Sequence, residues 1–270
     1  MATVVEAIRI PRASRWALAA IALGVATMTL PAVVAEWSSS GRVTIAGLTE
    51  IVSRGFATWV SSAAAAPTPP LSDAVEFWSV FHVTKAVLAI ALLCALVTVG
   101  CHVWAGAARA ETRGARAGWV AVGTLGAWFP VVALLIVLAN IQGAVAPLSS
   151  VMSFLPITAT SEINQVRAEL ATGAYGPVTD ALVADFRSYH AALVACLAVV
   201  IVGLGACVVW MLVRRGRTVR GARLPRRMLG IGGIALVLLT AALGVILLAN
   251  LSTVGDPARA LAGFFGSGAS

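Results

Sequence analysis

Five stretches of this chain carry no charged side chain: 16–35, 86–108, 119–144, 191–213 and 228–249. A run of roughly 18 apolar residues is long enough to cross the hydrocarbon core of a bilayer as a helix. Inside lipid every backbone N–H and C=O must find a partner within the segment, so runs of this kind are predicted to be helices. The composition agrees. The chain is 60% hydrophobic and 11% charged, where soluble proteins average about 25% charged. The expected fold class is an all-α integral membrane protein with five transmembrane helices.

The first stretch has a second reading. Arg9, Arg12 and Arg15 precede it, Pro31 breaks it, and Val33 and Ala35 flank a small-residue pattern. These are features of a secretory signal peptide, whose removal would leave four spans. The expectation favoured here is a retained signal anchor. The predicted organisation is then 1–35 as a cytoplasmic N-terminus and first span, 36–145 as one unit, 146–252 as a second and 253–270 as an extracytoplasmic tail.

Charge fixes the expected orientation. Thirteen of the 19 basic residues fall in three blocks beside apolar runs. The first block is Arg9, Arg12 and Arg15; the second is Arg109, Arg113 and Arg116. The third is Arg214, Arg215, Arg217, Arg220, Arg223, Arg226 and Arg227. With Glu6 and Glu111 that side sums to +11, and the other side to −3. Basic residues are retained in the cytoplasm, so the arginines of the second and third blocks are the topology determinants. The N-terminus is predicted inside and the C-terminus outside. The net charge of +8 is confined to the blocks, so it points to the bilayer as partner and not to nucleic acid. Eighteen arginines against one lysine, Lys85, suit a genome rich in G and C. The expected location is a bacterial plasma membrane.

Two segments repeat. Asn140, Pro147 and Phe154 recur as Asn250, Pro257 and Phe264, with spacings of 7 and 14 residues in both cases. Upstream, Phe81-His82 recurs as Tyr189-His190, and Cys101 with Trp104 recurs as Cys207 with Trp210. The offset is 108 residues at the histidines and 110 at the asparagines. Both copies enter the membrane from the same side, which predicts tandem parallel hairpins related by an axis along the membrane normal. Packed together they would form a four-helix bundle. Small residues four apart (Ala91 and Ala95, Gly123 and Ala127, Ala191 and Ala195, Thr240 and Gly244) would let helices approach closely.

The connections carry their own signals. Ile45, Leu48, Val52, Phe56 and Trp59 fall on one helical face. That helix is predicted either to lie among lipid headgroups or to cap the bundle. Pro67, Pro69 and Pro70 mark a linker. Ser72, Ser161 and Thr179 are candidate helix caps. Gly173 is a candidate helix end. Pro130 is expected to kink the third span.

No catalytic motif occurs: there is no phosphate-binding loop, HExxH or GxSxG. The span interiors hold no carboxylate, which disfavours an ion-coupled transporter. Cys94, Cys101, Cys196 and Cys207 lack metal-ligand spacing and read as packing residues. Two polar pairs remain. His82 and His190 sit at equivalent depth and could ligate a haem iron or a metal if they face each other; otherwise they are interfacial polar residues. Asn140 and Asn250 read as helix ends, or as amides lining a polar pocket between the repeats. The leading expectation is a non-catalytic subunit, scaffold or assembly factor without a cofactor, presenting extracytoplasmic helices to a membrane-protein partner or to further copies of itself. The alternatives are a redox carrier with a bis-histidine haem, and a small oligomeric transporter or channel.

Overall fold

The computed structural model describes residues 12–158, 160–218 and 223–266. Arg220, one of the topology arginines, lies outside the described residues, as does Arg9. Ten α-helices and two short 3-10 turns account for nearly all of the rest, and no strand occurs among the described residues. In chain order the helices are α1 Arg12–Ser38, α2 Leu48–Ser62, α3 Leu71–Arg109, α4 Arg113–Gly126, α5 Trp128–Val145, α6 Pro147–Val151, α7 Ser161–Thr172, α8 Pro177–Arg217, α9 Arg223–Gly255 and α10 Pro257–Gly266. Five helical stretches are long and apolar enough to cross a membrane; α4 and α5 together make one of them.

Two helices far outrun the apolar runs that seed them. At 1.5 Å per residue, the 39 residues of α3 make a rod of about 58 Å, and the 41 residues of α8 one of about 62 Å. A hydrocarbon core is only about 30 Å thick. The surplus lies largely at the N-terminal ends, residues 71–85 and 177–190, which carry Asp73, Glu76, Asp180 and Asp185.

The chain divides into two compact units that cut across chain order. One comprises residues 1–31 and 84–137, the other residues 32–83 and 138–270. In the first unit, Ala20 of α1, Leu92 and Ala95 of α3 and Ala133 of α5 form a small buried cluster. Trp104 of α3 packs on Gly123 of α4, and Trp119 of α4 packs on Gly106 of α3. Each glycine leaves the room that its opposite indole fills. The third span carries a single turn residue at Ala127, which keeps right-handed helical angles between α4 and α5. Pro130 has no N–H to donate to the carbonyl of Gly126 four residues back, and the Ala127 N–H turns to Thr124 instead.

The second unit holds the main core. Leu48, Val52, Phe56, Trp59 and Val60 of α2 pack with Leu71, Ala74 and Phe77 from the start of α3. Ile163, Val166 and Leu170 of α7, Val178 and Leu182 of α8, and Leu261 and Phe265 of α10 complete it. We call this assembly the head. The apolar stripe of α2 is therefore spent on protein, with Leu48, Val52 and Trp59 fully covered. Ala35 belongs to the same core, inside α1, and is wholly buried.

Several expected boundaries move by a few residues. Thr160 caps α7 through the Ile163 N–H, in place of Ser161. Helix α8 starts at Pro177 behind Gly176, which puts Thr179 inside the first turn. Helix α3 starts at Leu71, so Ser72 is likewise within it. Gly173 ends α7 in the left-handed conformation, as glycine permits. The segment expected as a tail folds into α10, with Phe265 stacked on Phe56 and its carbonyl accepting from Arg167 Nε at 2.8 Å. Helices α8 and α9 pair along their length. Leu197 and Leu243 are buried on them, and Val199, Val202, Ile231 and Leu238 are exposed.

Candidate functional site

Each histidine singled out in the sequence meets an asparagine, not another histidine. His82 Nδ1 lies 2.8 Å from Asn140 Oδ1. His190 Nδ1 lies 2.6 Å from Asn250 Oδ1. Asn140 sits inside α5 and Asn250 inside α9, each five residues before the helix ends. Neither asparagine terminates a helix, which corrects that expectation. The turn-making falls to Pro147 and Pro257, each the first residue of a new helix. A proline there gives up only an N–H that a first helical turn leaves unpaired anyway.

The first pair belongs to a continuous chain of hydrogen bonds. The Trp78 indole N–H donates to Ser150 Oγ at 2.9 Å. Ser150 Oγ lies 2.9 Å from His82 Nε2. An amide oxygen only accepts, so His82 Nδ1 carries the proton toward Asn140. The other ring nitrogen, Nε2, meets the Ser150 hydroxyl, so Trp78, Ser150, His82 and Asn140 form one connected sequence. Aromatic rings enclose it. Trp78 stacks on Phe81 at 4.6 Å and meets His82 and Phe154 edge-on at 4.8 and 4.9 Å. His82 is 8% exposed and Asn140 5%. The imidazole and the amide together form a buried polar knot within the second unit.

Gly143 makes the knot possible. A Cβ at that position would stand 2.5 Å from His82 Nε2 and 2.6 Å from Cδ2. One turn before Gly143, α5 supplies Asn140; one turn after it, the chain bends at Ala146 and Pro147 to bring up Ser150.

The second pair is a reduced version. Applying the same offsets, Phe186 stands where Trp78 does, Thr253 where Gly143 does and Ala260 where Ser150 does. Phe186 and Tyr189 still meet His190 edge-on at 4.6 and 5.4 Å. Asn250 Nδ2 donates to the Ile246 carbonyl at 2.8 Å, which orients its oxygen toward the imidazole. The indole N–H and the serine hydroxyl have no counterpart, and the pair is only partly buried.

Ser150, Trp78 as a donor and Gly143 escape a motif reading. The His–Asn pairing itself was legible by a simple rule. In an antiparallel hairpin, residues equidistant from the bend share a depth. His82 and Asn140 are centred on residue 111, and His190 and Asn250 on residue 220, each within a basic connection.

Elsewhere in the second unit, Asp185 Oδ2 accepts from the Ser149 N–H at 2.7 Å and ties α8 to α6. Glu169 of α7 accepts from the Gly176 N–H at 2.8 Å and from Gln165 at 3.0 Å. Partial burial works against the charged form of Glu169, and these hydrogen bonds outweigh it, holding the carboxyl below its ordinary range. Among the described residues no group of three or more His, Cys, Asp or Glu side chains could hold a metal ion.

The difference between the two pairs has a measurable consequence. Equivalent repeats would lose equal stability on Asn140→Leu and Asn250→Leu. The geometry predicts otherwise. Asn140→Leu strips a buried imidazole N–H of its acceptor, at a cost of about 1–3 kcal/mol. Asn250→Leu leaves a partly exposed ring that water can serve, at about 1 kcal/mol or less. Melting of both variants in detergent checks the order; equal shifts would contradict it.

No protein-family model matches the chain, and no curated protein and no solved structure matches it either.

Proposed function

We propose that this chain is a non-catalytic multi-pass protein of a bacterial plasma membrane: a subunit, scaffold or assembly factor that presents its head to a partner outside the cytoplasm. The observation that carries the reading is the use made of the polar pairs. The most chemically capable residues in the chain, His82 and Asn140, are consumed in holding α3, α5 and α6 together. What remains for function is the folded head with its own apolar core. In this reading the two hairpins are tandem copies of one parallel unit, the copies pack as a bundle, and the arginine blocks face the cytoplasm. The first copy keeps a complete knot and the second a vestige.

The haem alternative is weaker for a physical reason. An axial histidine offers one ring nitrogen to iron, and both nitrogens of His82 are already hydrogen-bonded within the chain. The transporter alternative still lacks a carboxylate in the span interiors.

Orientation is tested by replacing the four native cysteines with alanine and introducing Ser153→Cys in the head or Gly114→Cys in the first basic bend. An impermeant maleimide should label the head variant on intact cells and the bend variant only after lysis. The reverse pattern defeats the reading. Photo-crosslinking from Thr172, exposed on the head, should give a discrete protein adduct in cells. Absence of any adduct across several such positions, or a haem absorption band in the purified protein, would overturn the scaffold function.

A further inference from the structure

The C-terminal end of α8 carries a feature that neither the hairpin nor the head uses. Trp210, Val213, Arg214 and Arg217 follow spacings of 3, 1 and 3 residues, which place them on one helical face. With Thr218 they line a shallow recess. The Arg214 guanidinium lies over the Trp210 ring, 5.3 Å from its centroid. Trp210 is 54% exposed, so the face is open above the apolar flank of α8. Arg215 points elsewhere: its guanidinium lies against Gly230 of α9, where a Cβ would approach Nη1 to 2.9 Å. The arginines are thus sorted, one closing the hairpin and two facing outward beside an indole.

We infer that Trp210, Arg214 and Arg217 form a binding site for the phosphate headgroup of an anionic phospholipid in the leaflet next to the arginine-rich bend. The chemistry of the face matches such a lipid from the headgroup down. Two guanidiniums offer forked donors to phosphate oxygens. An indole suits the boundary between headgroups and hydrocarbon. Below it, toward the hydrocarbon and on the same side of the helix, the exposed Val202 and Val199 offer an apolar wall for the acyl chains. Charge complementarity is one-sided: no Asp or Glu occurs between residues 214 and 227, so nothing within the bend competes with an incoming phosphate. The helix carbonyls at this end are a weaker competitor for the guanidiniums. This site rests on the reading of the chain as a membrane protein, and its assay does not depend on which way the chain faces.

The test uses the full chain in detergent micelles, with bound lipid counted by native mass spectrometry during titration with phosphatidylglycerol or phosphatidylcholine. Wild type should retain phosphatidylglycerol at concentrations where phosphatidylcholine is lost. Arg214→Gln with Arg217→Gln should weaken phosphatidylglycerol retention by roughly thirty-fold, about five-fold for each charge near a headgroup. Trp210→Ala should weaken it less. Arg226→Gln with Arg227→Gln removes the same charge outside the recess and should leave retention within about two-fold of wild type. Equal losses in the two double variants would overturn the site in favour of diffuse attraction. Displacement of the lipid by millimolar inorganic phosphate would overturn the lipid as its ligand, and no preference in wild type would overturn both. Helical content by circular dichroism separates a lost site from a lost fold.

Discussion

Phe265→Ala should destabilise the head by about 3–5 kcal/mol, the range for deleting a buried aromatic side chain. Phe265 is fully buried in the short C-terminal helix, stacks on Phe56 of α2, and its carbonyl anchors Arg167 of α7. Truncation to alanine opens a cavity at the point where three helices from distant parts of the chain converge. The surrounding residues, among them Trp59 and Ile163, are themselves fully covered and have little freedom to close it. Arg259→Ala on the same helix is the control: its side chain is exposed and the change should stay within about 0.5 kcal/mol. Hydrogen exchange resolves the effect to the head. Amides of α2 and α7 should lose protection together in the Phe265 variant while those of α8 beyond residue 191 keep theirs. Unchanged protection in α2 would mean that α10 does not seat against it.

Helix α10 also marks where the sequence stops being legible. Apolar runs announce long helices because the bilayer imposes a length and a composition that need no tertiary context. The α2 stripe is legible for a similar reason, since a buried helical face repeats on a local period. Periodicity does not say what covers the stripe, and both headgroups and protein satisfy it equally. The contact between Phe56 and Phe265 joins residues 209 positions apart (265 − 56), and no local pattern encodes it. The recurring spacing, by contrast, carried tertiary information. His82 with Asn140, and His190 with Asn250, lie within hydrogen-bond distance of each other. Reading them as separate helix-end and interface residues missed this, although their shared distance from the basic bend placed them at one depth. Ser150 and Gly143 were hidden for a different reason. Neither recurs at the same offset, where Ala260 and Thr253 stand instead, so the recurring spacing could not point to them. The three helix caps fell one to three residues from their assigned positions because Pro177 and Thr160 start their helices sooner than the polar residues downstream suggested.

Gly143→Ala should cost about 2–6 kcal/mol from overpacking and unpaired groups together, against roughly 1 kcal/mol that alanine returns to the helix. The added methyl would fall 2.5–2.7 Å from three atoms of the His82 ring, and overpacking of this kind typically costs about 1–3 kcal/mol. The ring cannot turn away freely, since Trp78 and Phe81 bracket it. Any displacement also breaks the bonds to Asn140 and Ser150, leaving buried polar groups unpaired at about 1–3 kcal/mol. The mechanism is separable from a mere loss of helix flexibility, because alanine favours the helix over glycine by about 1 kcal/mol. If the imidazole is the obstacle, His82→Ala removes it, and the double variant should be less destabilised than the sum of the single changes by more than about 1 kcal/mol. Thr253→Ala, at the same offset in the α8–α9 hairpin, should be nearly neutral, since the Thr253 hydroxyl bonds the Ala249 carbonyl of its own helix. A Gly143→Ala protein that melts with or above wild type would show that the imidazole does not occupy the groove this glycine leaves, and the chain of bonds from Trp78 to Asn140 would lose its basis.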